Sequence, residues 1–249
     1  MFFFRKPKLV VDAFTSEIYQ HAFDYAPVDY ATKFYPDWWK KLPKMSKPIF
    51  TNNKGDVINK SNMKYCEGLT NEYNNSIIIP MWTDFMFKVD HDGSWVYNAA
   101  DMRTWGEHHE PSQRIGFKEK YLHFKIVSPW AFKSDKNVYF QCGVPYYNYP
   151  KELEWENIPG TVEFHSQYTT NINLFIKKIP SEFLIDFNTP IFHVKPLSER
   201  TLVLKKHIVS STEYASRFTK VPLTYKKRFL EMRRIDEDKE KKCPFGFGK

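Results

Sequence analysis

PGTVEFHSQYTTNINLFIKKIPSEFLIDFNTPIFHVKPLSERTLVLKKHIV, residues 159–209, decides the fold class. Pro159-Gly160 is a strong turn signal. Behind it, Thr161 to His165, Asn171 to Lys178, Phe183 to Phe187, Ile191 to Val194 and Leu202 to Val209 read as five closely spaced strands. Asn188-Thr189-Pro190 makes the turn between the third and the fourth. Short strands punctuated by Pro, Gly and Asn indicate an all-β fold, a β-sandwich or jelly roll.

Working outward, the same pattern extends toward the N-terminus. Val138 to Cys142 reads as a strand. So does Leu122 to Ser128, with Pro129 expected to stop it. Ile77-Ile78-Ile79 and then Trp82 to Val89 are strands, the second alternating Trp82, Asp84, Met86, Lys88 against Thr83, Phe85, Phe87, Val89. Phe2 to Phe14 reads as one or two short strands. Residues 51–64 and the polar stretch Ala99 to Ser112 read as irregular loops, and Tyr146 to Pro150 as an aromatic loop or edge. Pro36 suits the first turn of a short N-terminal helix, and Pro43 stops it.

Helices are expected at the other end. Ser210-Ser211-Thr212-Glu213 is a capping box, so a helix runs from there to about Lys220. Pro222 opens a second helix through Lys242, rich in Glu/Lys/Arg pairs at helical spacing. Leu223, Leu230 and Ile235 are too few to bury it. The expected organisation is a β-sandwich body over 1–209 and a basic helical C-terminal arm over 210–249. The tail Cys243-Pro244-Phe245-Gly246-Phe247-Gly248-Lys249 suits a plug for a groove in this molecule or a neighbour.

Composition agrees with a sheet protein. Aromatics are 18% of the 249 residues, and mean hydropathy is nevertheless −0.57. Apolar bulk therefore comes as flat rings, which suit pleated sheets and interfaces. No stretch reaches the roughly 20 apolar residues of a membrane-spanning helix. Met1-Phe2-Phe3-Phe4-Arg5-Lys6-Pro7-Lys8 puts its charges after a very short apolar run, the reverse of a signal peptide. Cys66, Cys142 and Cys243 are too few for a disulfide framework and form no CxxC pair. The expected place is a cytoplasm or a virion, and no membrane partner is expected. Net charge is +8, and from Arg217 onward 11 Lys/Arg stand against 5 Asp/Glu. A neutral body with a basic end points to an acidic partner, protein or nucleic acid. Arg228, Arg233, Arg234, Lys241, Lys242, Phe245 and Phe247 are the residues expected to grip it. Trp38-Trp39-Lys40-Lys41 and Tyr225-Lys226-Lys227-Arg228-Phe229 interleave rings with base, as single-strand nucleic-acid binders do.

The motifs exclude more than they include. With nine glycines, neither GxGxxG nor GxxxxGK[ST] spacing occurs, and there is no GxSxG elbow, HExxH or EF-hand loop. One constellation admits a metal. His108 and Glu110 form an HxE triplet, and a distant histidine completes a facial triad for Fe(II). His165 and His193 are both available. The segment Phe192 to Arg200 looks somewhat like the distal His and 2-oxoglutarate-binding Arg of non-haem iron dioxygenases. That resemblance implies iron on His108, Glu110 and His193, with the co-substrate carboxylate on Arg200. The pattern departs from that family in having Glu for Asp and in the short spacing from His193 to Arg200.

Several other pieces stand together: Tyr35-Pro36-Asp37-Trp38-Trp39-Lys40-Lys41-Leu42-Pro43, Ile79-Pro80-Met81-Trp82-Thr83-Asp84, Ser128-Pro129-Trp130, Pro159-Gly160, and Ile185 to Ile191 followed by Pro196. On these the chain, over residues 30–200, resembles a family of unknown function found in tailed phages, notably marine ones, and in some bacteria. Those motifs are structural, and Asn188 stands where that family usually has Gly. The resemblance implies a structural or assembly role in a virion neck, tail or capsid accessory position. Its partners would be other virion proteins or further copies of itself.

Overall fold

The turn signals and alternating stretches do become strands. In a computed structural model, which describes residues 6–43, 50–51, 53–55, 57–58, 62–114, 116–149, 151, 153–165 and 167–218, the fold is mainly β-sheet. The elements in chain order are β1 (Lys8–Ser16), α1 (Gln20–Tyr25), β2 (Asp29–Tyr30), α2 (Asp37–Lys40), β3 (Phe50–Thr51), β4 (Val57–Ile58), α3 (Glu67–Tyr73) and β5 (Ile77–Pro80). They continue with β6 (Phe85–Val89), β7 (Trp95–Ala99), β8 (Gly106–His109), β9 (Tyr121–Ser134), β10 (Tyr139–Gly143), β11 (Trp155–Asn157) and β12 (Gly160–Glu163). The last are β13 (Thr169–Lys177), β14 (Ser181–Ile185), β15 (Pro190–Pro196), β16 (Thr201–Val209) and α4 (Ser211–Phe218).

A six-stranded sheet has the order β11-β13-β9-β1-β16, with β8 also on β9. A five-stranded sheet has the order β12-β10-β15-β5-β2, and a three-stranded sheet β14-β6-β7. All three feed one core. Leu9, Val11, Phe124, Ile126, Phe132, Ile172 and Leu174 come from the first, and Ile77, Ile79, Phe140, Ile191 and Val194 from the second. The third adds Phe85, Phe87 and Ile185. The period-two pattern survives in burial: along β9, Leu122, Phe124 and Ile126 are buried while His123, Lys125 and Val127 are half-buried. Rings meet edge-on and offset around Phe124, with Phe87 at 5.2 Å, Tyr97 at 5.1 Å and Trp95 at 5.7 Å.

Three expectations need correction. Pro129 does not stop β9, which runs on to Ser134. The β8 ladder on one side ends at Ile126, and the β1 ladder begins at Ala131. On the other side the register with β13 shifts between Thr169 and Asn171. A proline is tolerated where neither neighbour asks for its missing N–H. The stretch Ala99 to Ser112 is not wholly irregular, because Gly106–His109 pairs with β9 as β8. Within 51–64, β4 pairs with β3, where a loop was expected.

The first and last of the described strands pair in parallel, from Lys8↔Thr201 to Ser16↔Val209. Of the expected capping box the Ser210 half forms: the Glu213 N–H donates to Ser210 Oγ at 3.2 Å, and α4 follows, with the Glu213 carboxylate paired to Arg217 at 2.9 Å. α4 lies against the body. Phe218 is buried against Phe14, at 5.0 Å, and the Tyr214 hydroxyl donates to the Pro129 carbonyl at 3.2 Å. The expected second helix from Pro222 to Lys242 and the tail 243–249 lie outside the described residues. Among the described residues no helix is long and apolar enough to cross a membrane.

Candidate functional site

The residues expected to bind iron are not brought together. His108 sits on β8 in the six-stranded sheet, with Nδ1 3.4 Å from Glu110 Oε1 and its ring tilted on Trp95. His193 sits on β15 in the five-stranded sheet. Arg200 is in the turn between β15 and β16, where its carbonyl accepts from Asn75 Nδ2 at 2.9 Å. Among the described residues no group of three or more His, Cys, Asp and Glu is placed to hold a metal. The set does not fit iron, and no chemistry is routed through it. Arg228, Arg233, Arg234, Lys241, Lys242, Phe245 and Phe247 lie outside the described residues. Trp38 and Trp39 pin their short helix: Trp38 Nε1 donates to the Tyr147 carbonyl at 2.8 Å, and Trp39 Nε1 to Met63 at 3.1 Å.

His193 does join a relay that the sequence did not suggest. Its Nε2 lies 2.8 Å from Ser76 Oγ, and its Nδ1 lies 3.3 Å from Glu72 Oε1. Lys195 Nζ donates to the other Glu72 oxygen at 2.8 Å. The connectivity is that of a nucleophile, a base and an orienting carboxylate. Burial decides against nucleophilic chemistry. Ser76 is 1% exposed, and its hydroxyl is 3.1 Å from the carbonyls of both Glu72 and Tyr73. It closes the end of α3, and the relay fastens that helix to β15. The hydrogen bond with His193 and the contact of Lys195 outweigh burial and bring the Glu72 carboxyl down from 4.5 to about 2.

The open surface with the strongest character belongs to the three-stranded sheet. Its inner face sends Phe183, Phe85, Phe87, Trp95 and Tyr97 toward the core. Its outer face carries the cross-strand rows Leu184–Met86–Asn98 and Glu182–Lys88–Val96. Leu184 and Val96 are 56% and 54% exposed. Just beyond the end of these strands lies a cleft of about 360 Å³, lined by His21, Asp84, Asp101, Met102, Arg103 and Phe187. Met102 is almost fully exposed, and Phe187 is exposed. Asp101 receives Arg103 Nε at 2.7 Å and a second guanidinium nitrogen at 3.0 Å. His21 Nε2 is 3.3 Å from the same carboxylate. Burial raises the Asp101 carboxyl, but the Arg103 fork overcomes it and holds it below the usual range. Arg103 in turn lies over the Tyr19 ring at 5.3 Å.

This arrangement is a fixed charged pair beside exposed apolar side chains, suited to contact with another surface. The sequence held a signal for Leu184. In a period-two strand it falls on the face opposite Phe183 and Ile185, so the strand is apolar on both sides. Met102 and Phe187 gave none, since exposure in a turn depends on the chain around it. A comparison of the chain with known protein families, with curated proteins and with solved structures finds no match.

Proposed function

We propose that the chain is a structural or assembly protein of a phage particle, a sandwich of jelly-roll type that docks on neighbouring virion subunits. The observation that carries this reading is the outer face of β14, β6 and β7, where Leu184 and Val96 stand more than half exposed, with Met102 and Phe187 exposed beyond the strand ends. A face with exposed apolar side chains among its polar ones, on a sheet whose other side packs Phe85, Phe87 and Ile185 into the core, has a natural use as a contact surface. The Asp101–Arg103 pair at its end gives the contact register, because a misplaced partner would meet a charged group without a counterpart. The basic stretch from Arg217 onward supplies a second contact, to an acidic protein surface or packaged nucleic acid. The place of action is the virion, or the host cytoplasm before assembly.

Mass spectrometry of purified particles tests the reading. The chain should be present in stoichiometric amount, and Leu184→Lys with Val96→Lys should lower its incorporation while the isolated protein still folds. Absence of the chain from particles refutes it.

A further inference from the structure

A second cavity, of about 190 Å³, opens between the β6–β7 hairpin and the rim of the six-stranded sheet. Its apolar walls are Val89 at the end of β6, Trp95 at the start of β7 and Leu122 on β9. Val89 and Leu122 are buried, and Trp95 is half-buried. Three polar side chains share the space: His108, Glu110 and Lys178.

His108 is the anomaly. It stands opposite Phe124 in the β8–β9 ladder, and cross-strand partners turn to the same face. Phe124 is fully buried in the core, so β8 turns an imidazole to the side where the sheet calls for an apolar group. Departures of this kind from the sheet pattern concentrate at functional sites. The ring is tilted on Trp95 at 5.4 Å, and its Nδ1 is 3.4 Å from Glu110 Oε1. A carboxylate only accepts, so in the neutral ring Nδ1 carries the hydrogen and Nε2 keeps a lone pair. Among the described residues nothing bonds to that nitrogen or to Lys178 Nζ. All three polar side chains are open to a ligand: His108 is 22% exposed, Glu110 is 69% exposed, and Lys178 is exposed.

The rim selects the ligand. One cation, one anion and one lone-pair acceptor stand around an apolar hollow. A plain carboxylate would lie near Glu110 without a counter-charge, and a plain amine would meet Lys178 in the same way. A molecule with both charges on one carbon satisfies all three groups. The volume equals that of about six waters. It is below the roughly 300 Å³ at which drug-sized sites begin, so the ligand is small.

We propose that this cavity binds a free aliphatic α-amino acid. Its ammonium donates to His108 Nε2 and to the Glu110 carboxylate. Its carboxylate accepts from Lys178 Nζ, and its side chain lies against Trp95, Val89 and Leu122.

Calorimetric titration of the full chain tests each part. Leucine should bind with a Kd of order 0.1 mM. Leucinamide keeps the ammonium and stands for a peptide N-terminus, and 4-methylpentanoate keeps the carboxylate. Each should bind about tenfold more weakly. Glycine has no apolar body and should not bind at millimolar concentration. Lys178→Met should bring leucine down to the affinity of leucinamide, and Glu110→Gln should weaken leucine but not 4-methylpentanoate. Both positions are exposed, so the variants should fold. NMR of the wild-type protein places the site independently: the Trp95 indole and His108 ring resonances should move on adding leucine. No binding at millimolar leucine, equal affinity for leucine and either single-charge probe, unchanged leucine binding in both variants, or resonance changes that miss both rings would each overturn the proposal.

Discussion

Replacing Glu72 by Gln removes one charge from the relay that fastens α3 to β15 and keeps its shape. In the folded protein the hydrogen bond with His193 and the Lys195 ammonium 2.8 Å away hold this carboxyl down, from 4.5 to about 2. Such a drop corresponds to roughly 3 kcal/mol between protonation states for a buried pair. The Glu72 side chain is 43% exposed, so water and salt screen it and about 1 kcal/mol is expected. The sign follows from linkage. A depressed carboxyl stabilises the fold fully above its unfolded value, and that contribution disappears as pH falls from 4.5 through about 2. Urea unfolding of wild type and Glu72→Gln across pH 2–7 should therefore show a gap of about 1 kcal/mol at neutral pH. The gap should close at the acid end and narrow in 1 M salt. A gap that is constant with pH would refute the electrostatic account, and no gap at pH 7 would refute the relay's role in stability.

Gly106→Ala should cost about 1–3 kcal/mol, read by urea unfolding. A Cβ there overlaps the Phe124 ring and lies 3.0 Å from the Lys125 carbonyl oxygen, and the ring is wedged among Phe87, Trp95 and Tyr97. Asn188 holds a left-handed φ of 63° while its N–H donates to the Met81 carbonyl at 2.7 Å. Thermal unfolding should find Asn188→Ala destabilised by roughly 1 kcal/mol and Asn188→Gly close to wild type. Burial pushes the Cys142 thiol up to about 12, so in native protein at pH 8 iodoacetamide should label Cys66 well before Cys142. Urea should erase the difference.

Where chemistry is local, the fold was legible. Pro159-Gly160 and Asn188-Thr189-Pro190 turn the chain because their backbone preferences leave few alternatives. Ser210 caps α4 through a single side-chain bond to a residue three positions on. The alternating stretches became strands because one face of each is buried. What escaped was non-local. β8 carries Gly-Glu-His-His, with no pattern of its own, and is a strand only because β9 offers it a backbone edge. Pro129 reads as a breaker until both flanking ladders are known to be interrupted beside it. The histidines followed the same divide. His108 and Glu110 are near neighbours, as their spacing allows, but His193 answers to Ser76 and Glu72, more than a hundred residues earlier in the chain. An unsatisfied amide oxygen such as the buried Oδ1 of Asn157 has no signature in sequence at all, since it is defined by partners that fail to arrive.

The side-by-side run of β1 and β16 sets a condition on synthesis. β1 is an interior strand whose second neighbour is made nearly 200 residues later, so a nascent chain must wait for residues 201–209 before the six-stranded sheet can close. Until then one long edge of β1 stays open to any other polypeptide that can add a strand. Protein stalled or cleaved ahead of Thr201 should thus be sticky, and a supplied peptide copying 201–209 should be able to rescue it.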